Sequence, residues 1–218
     1  RIRRRYEQYA SFSDAMEDVL ERMRDEQGPL LGNIRFDDPA FEDIFSMRTN
    51  GDVVYAGTPM GKVCRNISGN ICEDVVRRVH ARYLPSSVEV VDAVVGTRCD
   101  GKKRCKNTTS YDFGARTGSD TKRVEVKSSK LYFDGKQRCN CWCASFLHVK
   151  FHKFDELLLG LITPDALCVF KYDVKRRPFA STQGKRVTGD GIQVTSHKDD
   201  TIEEAVTTII KKLCLCGC

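Results

Sequence analysis

The sequence predicts an α/β (α+β) protein in which a central mixed β-sheet is flanked by helices. Segments 70–83 and 202–213 place apolar residues three or four positions apart, which is the period of an amphipathic helix. Between these segments lies a series of short stretches rich in β-branched, aromatic and other apolar residues, and such stretches are typical of strands. Helices on either side of a run of strands indicate layers of helix packed on a sheet.

The N-terminal part is predicted to begin with a helix and to continue without regular structure. Apolar residues recur at helical spacing over residues 13–27, and Gly28 and Pro29 would end this helix. Residues 31–62 contain several Gly, Pro and Asn turn signals. We therefore predict an irregular chain there, with a short hairpin around residues 53–55.

Two further helices are predicted, one before and one after the strands. The helix over residues 70–83 has an apolar arc, and Glu73 lies just past the edge of that arc. The C-terminal helix has the clearer signal, because Thr201 and Glu204 fit the pattern of a capping box. A continuous apolar face then extends over residues 202–213.

Most of the chain between these two helices is predicted to form strands. Each predicted strand is a short apolar or alternating segment bounded by turn-forming residues. Residues 115–121 have the composition of a turn that would fold one strand back beside the next. The predicted strands cover residues 88–95, 111–114, 123–133, 145–151, 157–162, 167–172 and 192–195.

The chain contains no internal repeat or low-complexity linker, so we predict one domain over residues 1–218. Within it, residues 1–62 would form an N-terminal helical segment. Residues 190–213 would add a strand and a helix at the C-terminal end.

Net charge and cysteine content favour a soluble protein with a nucleic acid partner. The chain has 36 Lys and Arg against 30 Asp and Glu, a net charge of +6. Its basic residues occur in short groups that could neutralise phosphates, although such groups can equally form a solvated surface. No apolar run is long enough to cross a bilayer, and the N-terminus lacks a secretory signal. We therefore expect the 11 cysteines to be reduced thiols in an intracellular protein, either cytoplasmic or nuclear.

A charged pair on one predicted strand is the main candidate for chemistry. Side chains alternate along a strand, so Glu125 and Lys127 would project from one face while Val124 and Val126 project from the other. The turn before this strand would bring Asp112 beside Glu125. Two carboxylates can bind a divalent metal, and a lysine can orient its water, which is chemistry suited to phosphodiester cleavage. The alternative is that the pair lies on the solvated face of a half-buried strand.

The order of these residues resembles the PD-(D/E)XK nuclease superfamily, the fold of many type II restriction endonucleases. That family has a glutamate on a helix, then an aspartate on a strand, then Glu-x-Lys on a neighbouring strand. Here the corresponding residues are Glu73, Asp112 and Glu125-Val126-Lys127. The resemblance covers roughly residues 69–173 and differs in having Tyr111 in place of the family's proline.

The resemblance implies a restriction-endonuclease-like core and a role for each of these residues. Asp112 and Glu125 would ligate Mg²⁺, and the Val126 carbonyl would be a third ligand from the protein. Lys127 would assist the attacking water, and Glu73 would support the site from its helix.

The resemblance also implies a Mg²⁺-dependent endodeoxyribonuclease of the type II restriction class that cuts double-stranded DNA. We expect a homodimer, because cutting both strands in one encounter is simplest with two sites related by a twofold axis. Two alternatives remain open. One is a repair or junction-resolving nuclease of the same fold, and the other is a non-catalytic nucleic-acid-binding protein that retains the fold. The residues expected to contact DNA are Lys102, Lys103, Arg104, Arg116 and Lys130.

Two clusters of alternating cysteines form a second, weaker candidate site. They are Cys139-x-Cys141-x-Cys143 and Cys214-x-Cys216-x-Cys218. Thiols on one face of a strand could bind structural zinc, but the spacing differs from the two-residue gap of zinc ribbons. Packed or redox-sensitive thiols are the alternative.

Overall fold

A mixed β-sheet with few helices dominates the part of the protein that the structure describes, which is an α+β arrangement in general terms. Two helices are described: α1 covers residues 69–77, and α2 covers Ile202–Cys214. Within the described residues, no helix is long and apolar enough to cross a membrane. The computed structural model describes residues 30–35, 69–77, 87–93, 111–134, 140–164, 166–181 and 190–215.

The strands of this described part form two separate sheets. In chain order they are β1 (Leu30–Arg35), β2 (Glu89–Asp92), β3 (Phe113–Thr117), β4 (Asp120–Lys130), β5 (Tyr132–Asp134), β6 (Cys141–Val149), β7 (Glu156–Ile162), β8 (Ala166–Tyr172), β9 (Ala180–Ser181) and β10 (Asp190–Ser196). The larger sheet has six strands in the order β1-β8-β7-β4-β3-β2, and the smaller has four in the order β5-β6-β10-β9. All neighbours are antiparallel except β4 and β7, which are parallel.

The smaller sheet corrects the prediction of a single central sheet. The predicted strand 123–133 is divided at Leu131, with β4 in the larger sheet and β5 in the smaller one. The smaller sheet also contains β6 and β10, whose register places Ser145 opposite Gln193. An alternating pattern identifies a strand but does not identify its neighbour, so the sequence alone could not divide the strands between two sheets.

Both faces of the larger sheet are covered, and β7 lies at the centre of the packing. On one face, Leu157, Leu159 and Leu161 belong to a buried cluster that includes α2 and the smaller sheet. On the other face, Leu158 packs in a second cluster with residues of α1 such as Cys72. Burial on both faces explains why β7 is almost entirely apolar instead of alternating.

The predicted C-terminal helix is confirmed together with its cap. The Thr201 N–H donates to the Glu204 carboxylate at 2.8 Å, and the Glu204 N–H donates to the Thr201 hydroxyl at 3.2 Å. The second predicted helix is present as α1. The remainder of that helix over residues 78–83, the predicted helix at 13–27 and the predicted hairpin at 53–55 lie outside the described residues.

The prediction of an irregular chain over residues 31–62 is wrong at its start, where β1 forms. Gly32 and Asn33 favour turns, but here they lie in an edge strand that pairs with β8. The register shifts between Leu30 and Gly32, so the strand accommodates the turn-forming residues with a local irregularity. Hydrogen bonds to a neighbouring strand have outweighed local preference.

The turn predicted over residues 115–121 is much shorter in the structure. Strand β3 continues to Thr117 and β4 begins at Asp120, leaving a two-residue turn. Gly118 has a φ of 60°, which glycine adopts without strain and which this type of hairpin requires. The polar residues near the turn are exposed on both strands, and this exposure made them look like a loop in the sequence.

Candidate active site

Strand β4 holds Glu125 and Lys127 on one face. The intervening Val126 and the preceding Val124 are buried on the opposite face, against α1. Lys127 Nζ contacts Glu125 Oε1 in an ion pair. The two side chains are only 23% and 12% exposed, so they do not lie on an ordinary solvated face.

Asp112 joins this pair through a hydrogen bond to the backbone of β4. Its N–H donates to the Val124 carbonyl at 3.0 Å, and its Oδ2 accepts from the Val126 N–H at 2.7 Å. Val126 lies between Glu125 and Lys127 in the sequence, so this contact fixes the third charged group beside the other two. The predicted strand 111–114 begins later, at Phe113, and Asp112 immediately precedes β3.

Glu73 approaches the same group of residues from α1. Burial raises the pKa of Glu73 to about 7, and the negative charges of Asp112 and Glu125 add to the increase. The ammonium of Lys127 acts in the opposite direction. The four side chains of the predicted motif, those of Glu73, Asp112, Glu125 and Lys127, therefore interact electrostatically.

The position of α1 depends on a close approach at β7. A Cβ placed at Gly160 would lie 2.2 Å from Cys72 Sγ, so the backbone of β7 and the helix meet where a side chain is absent. Cys72 is fully buried and adjoins Glu73 in the helix. Burial, followed by the charges of Asp112 and Glu73, raises the pKa of the Cys72 thiol, which therefore stays protonated.

The site has an excess of negative charge in a partly buried position. Burial raises the pKa of Asp112, while the Val126 N–H and the charge of Lys127 oppose the rise. Burial and the Asp112 charge also raise the pKa of Glu125. The ammonium groups of Lys127 and Lys150 lower it. Carboxylates that repel one another in this way are stabilised by a nearby cation.

The oxygen donors at this position suit a hard divalent cation. Among the described residues, no group of three or more His, Cys, Asp or Glu side chains is arranged to hold a metal ion. The ligand set implied by the family resemblance has two carboxylates, from Asp112 and Glu125, and the backbone carbonyl of Val126. A set with two side chains is typical of Mg²⁺, which retains several of its waters.

The basic residues expected to contact DNA have different positions. Lys130 is only 8% exposed, so its side chain is not available at the surface, and the expectation is corrected for this residue. Arg116 is exposed on β3, where its guanidinium donates to the Glu89 carboxylate at 2.6 and 3.0 Å. Lys102, Lys103 and Arg104 lie outside the described residues.

Two contacts at the site were not predicted from the sequence. Lys150 directly follows β6, and its charge acts on Glu125. Asp155 accepts from Arg123 N and Nε at 2.9 Å each and from Nη2 at 2.7 Å, and its own N–H donates to the Arg123 carbonyl at 2.9 Å. Both depend on how β6 and β7 lie against β4, which no local pattern reveals. Opposite charges at positions 123 and 155 were the only available signal.

The cysteines do not form a second site in the described part of the chain. Cys141 is disulfide-bonded, which does not fit the expectation of a reduced thiol there and removes its thiolate as a zinc ligand. Cys143 is a buried thiol that is not part of a disulfide, and its sulfur lies 3.6 Å from the Cys141 sulfur. Cys214 is not part of a disulfide either, whereas Cys139 and the last two cysteines of the chain lie outside the described residues.

Comparison with known proteins adds no family assignment to this geometry. No family model, no curated protein and no solved structure matches the chain.

Proposed function

We propose that the protein is a metal-dependent endodeoxyribonuclease that hydrolyses phosphodiester bonds in double-stranded DNA. The observation that carries the proposal is the meeting of Asp112 with the Glu125–Lys127 ion pair, through a 2.7 Å hydrogen bond to the backbone between those two residues. Two carboxylates and an ammonium, partly buried and held by a sheet, are suited to acting on a phosphodiester.

The donor set fits Mg²⁺, because carboxylate and carbonyl oxygens are the hard ligands that this ion prefers. Asp112, Glu125 and the carbonyl of Val126 would hold it. Bound there, the ion would polarise the phosphate and lower the pKa of a water molecule.

The remaining work falls to side chains that the sheet holds in place. Lys127 opposes the rise in the pKa of Glu125 and so favours the ionised form of this carboxylate. The Lys127 ammonium would also stabilise the negative charge that develops on the phosphate oxygens. Glu73 has a pKa of about 7, so its carboxyl group can accept or release a proton near neutral pH. Because Val126 is buried on the opposite face of β4, the strand cannot rotate about its axis, and Glu125 and Lys127 keep their orientation toward the substrate.

Within this class we propose an enzyme of the type II restriction class that acts as a homodimer. A single site cuts one strand, and a twofold axis would present a second site to the other strand. The proposal predicts that sizing chromatography will give the mass of two chains. A monomer both in solution and on DNA would contradict the dimer while leaving strand cleavage possible.

The test of the function is cleavage of mixed plasmid DNA with Mg²⁺, with and without excess chelator, by wild-type protein and two variants. Glu125→Ala and Lys127→Ala should each lose on the order of a hundredfold or more in cleavage rate, because they remove groups that act on the transition state. DNA binding by both variants should remain, since affinity comes mainly from phosphate contacts elsewhere. Cleavage by Glu125→Ala at the wild-type rate would refute the proposed mechanism.

Glu156→Ala is the matched control for Glu125→Ala. Glu156 lies on the neighbouring strand β7, and its side chain is 16% exposed, close to the value for Glu125. It also accepts from lysines, Lys122 and Lys171, at 3.2 Å each. Glu156→Ala should leave the cleavage rate within about twofold of wild type. A fall in cleavage rate that occurs only in Glu125→Ala would then be due to the role of Glu125 in the site, and not to the loss of any partly buried carboxylate from the sheet.

A further inference from the structure

Two neighbouring loops beside the site concentrate positive charge at the surface. They are the β6–β7 turn, residues 150–155, and the β8–β9 loop, residues 173–179, here called the loop pair. The guanidinium of Arg177 lies over the ring of Phe151, 4.4 Å from its centroid, so the two loops are in direct contact. Exposed side chains of the loop pair include Lys150, His152, Lys175, Arg176 and Arg177, and Lys153 is half-buried.

The acidic residues of the loop pair are already engaged by groups of the protein. Asp155 is bound by Arg123 of β4 through three hydrogen bonds to its carboxylate. Asp173 accepts from the backbone N–H groups of Lys175 and Arg176 at 2.8 and 3.1 Å. Arg176 Nε also lies 3.6 Å from Asp173 Oδ2 in an ion pair. The two loops still carry five Lys and Arg residues against two Asp residues, which makes this a positively charged surface.

Hydrogen bonds and ring contacts within the loop pair stabilise its conformation. The Tyr172 hydroxyl donates to the Pro178 carbonyl at 2.6 Å, and the Phe151 ring lies 6.0 Å from the ring of Tyr172. In the β6–β7 turn, the Lys153 N–H donates to the Lys150 carbonyl at 2.8 Å. A preorganised surface binds with a smaller loss of conformational entropy than a mobile one does.

The loop pair also lies next to the candidate active site. The hydrogen bonds between Asp155 and Arg123 fix the end of the β6–β7 turn to β4, two residues before Glu125. The other end of the turn begins at Lys150, directly after β6, and β6 is joined to β4 by a 2.8 Å hydrogen bond from the Ser145 N–H to the Ser129 hydroxyl. Positive charge therefore extends from the site outward along both loops.

We propose that the loop pair binds the phosphate backbone of duplex DNA beside the bond that is cut, with Lys150 nearest to the active site. This inference rests on the proposed nuclease function and adds to it the surface that holds the substrate. Long cationic side chains release counterions when they neutralise phosphates, so they provide affinity for any sequence. The contact would position the backbone, and bases would be recognised elsewhere.

The test measures binding of a fluorescein-labelled mixed-sequence duplex by anisotropy at several salt concentrations, in chelator so that no cleavage occurs. The double variant Lys175→Gln/Arg176→Gln removes two charges from the loop pair without touching the Arg177–Phe151 contact. The control Lys198→Gln/Lys211→Gln removes two exposed charges outside it. Each phosphate contact contributes about 0.9 to the slope of log K against log salt, so the loop variant should lower the slope by about 2. The control variant should retain the wild-type slope.

Lys150→Gln tests the inner end of the surface. It should lower the salt slope by about 1 and, with Mg²⁺, reduce kcat/KM for plasmid cleavage by about tenfold or more, mainly through KM. A loss confined to kcat, with no change in slope, would show that Lys150 serves the chemistry and does not bind the backbone.

The possible results separate the surface from the enzyme. Equal weakening by the loop and control variants would mean that only net charge matters and would overturn the inference. Wild-type binding by the loop variant of an active nuclease would overturn the inference and leave the function standing. Weakened binding by the loop variant of a protein that never cuts with Mg²⁺ would support the surface and refute the nuclease. A wild-type protein that binds single-stranded RNA, or nothing, in place of duplex DNA would overturn both.

Discussion

Gly160→Ala should destabilise the protein by forcing α1 away from the larger sheet. The new methyl group would lie 2.2 Å from the sulfur of Cys72 and 3.1 Å from Cδ1 of Leu167. The first distance is far below van der Waals contact, and Cys72 is fully buried, so its thiol has little room to rotate. Adding a carbon to a filled core of this kind costs about 1–3 kcal/mol.

Removing the opposing sulfur should relieve most of that cost. Cys72→Ala alone leaves a small void and should cost about 1 kcal/mol, the value for one buried methyl-sized group. In the double variant the methyl at position 160 occupies the space that the sulfur has left. The double variant should therefore be more stable than the sum of the single effects predicts, with a coupling of about 1–2 kcal/mol. The tight contact to Leu167 should keep the double variant slightly below wild type.

The coupling can be measured by urea unfolding followed through tryptophan fluorescence. Trp142 is the only tryptophan and is fully buried, so its emission reports on loss of the core. Gly69→Ala is the matched control, because the nearest atom to a Cβ there is Ser128 Oγ at 3.9 Å, and it should change stability by less than about 1 kcal/mol. Effects of Gly160→Ala and Cys72→Ala that add to within about 0.3 kcal/mol would refute the proposed contact.

Two further predictions concern individual contacts that stabilise the fold. Thr201→Ala should lower the free energy of unfolding by about 1 kcal/mol, since it deletes the hydroxyl that accepts from the Glu204 N–H at the start of α2; an unchanged urea midpoint would show that the cap does not matter. The pairing with Arg123 lowers the pKa of Asp155 from 3.8 to about 2. The pair therefore stabilises the folded protein above about pH 4, and this stabilisation is lost as the pH falls toward 2. That shift corresponds to roughly 2.4 kcal/mol, which the 42% exposure of Asp155 reduces to about 1 kcal/mol. Asp155→Asn should be less stable than wild type at pH 6 and equal to it near pH 2, and a difference independent of pH would contradict this account.

Much of the secondary structure could be predicted because buried segments have a recognisable pattern of apolar residues in the sequence. Strand β7 is almost entirely apolar because both its faces are covered, and α2 has an apolar face that follows a capping pair. Strand β1 has no such pattern in its sequence. Gly32 and Asn33 take part in the sheet only because β8 provides hydrogen-bond partners, and that pairing is a property of the folded chain.

The candidate site likewise has features that the sequence predicts and features that depend on the folded chain. The common face of Glu125 and Lys127 follows from the pleat of a strand and needs no tertiary information. The approach of Asp112 could be anticipated from the order of the elements, but not its hydrogen bond to the Val126 N–H. Lys150 could not be anticipated as part of the site, because it comes from the end of a strand in the other sheet.

The close contact at Gly160 connects the stability of the fold to the proposed chemistry. The charges of Asp112 and Glu125 act on Glu73 because α1 lies directly against β7, where Gly160 leaves room for the Cys72 thiol. A side chain at this position must displace α1 and Glu73 with it, while Asp112 remains attached to the Val126 N–H. Gly160→Ala should therefore lose Mg²⁺-dependent cleavage even at temperatures where it is fully folded, and adding Cys72→Ala should restore cleavage and stability together. Recovery of stability without recovery of cleavage would mean that Glu73 is not positioned by this contact.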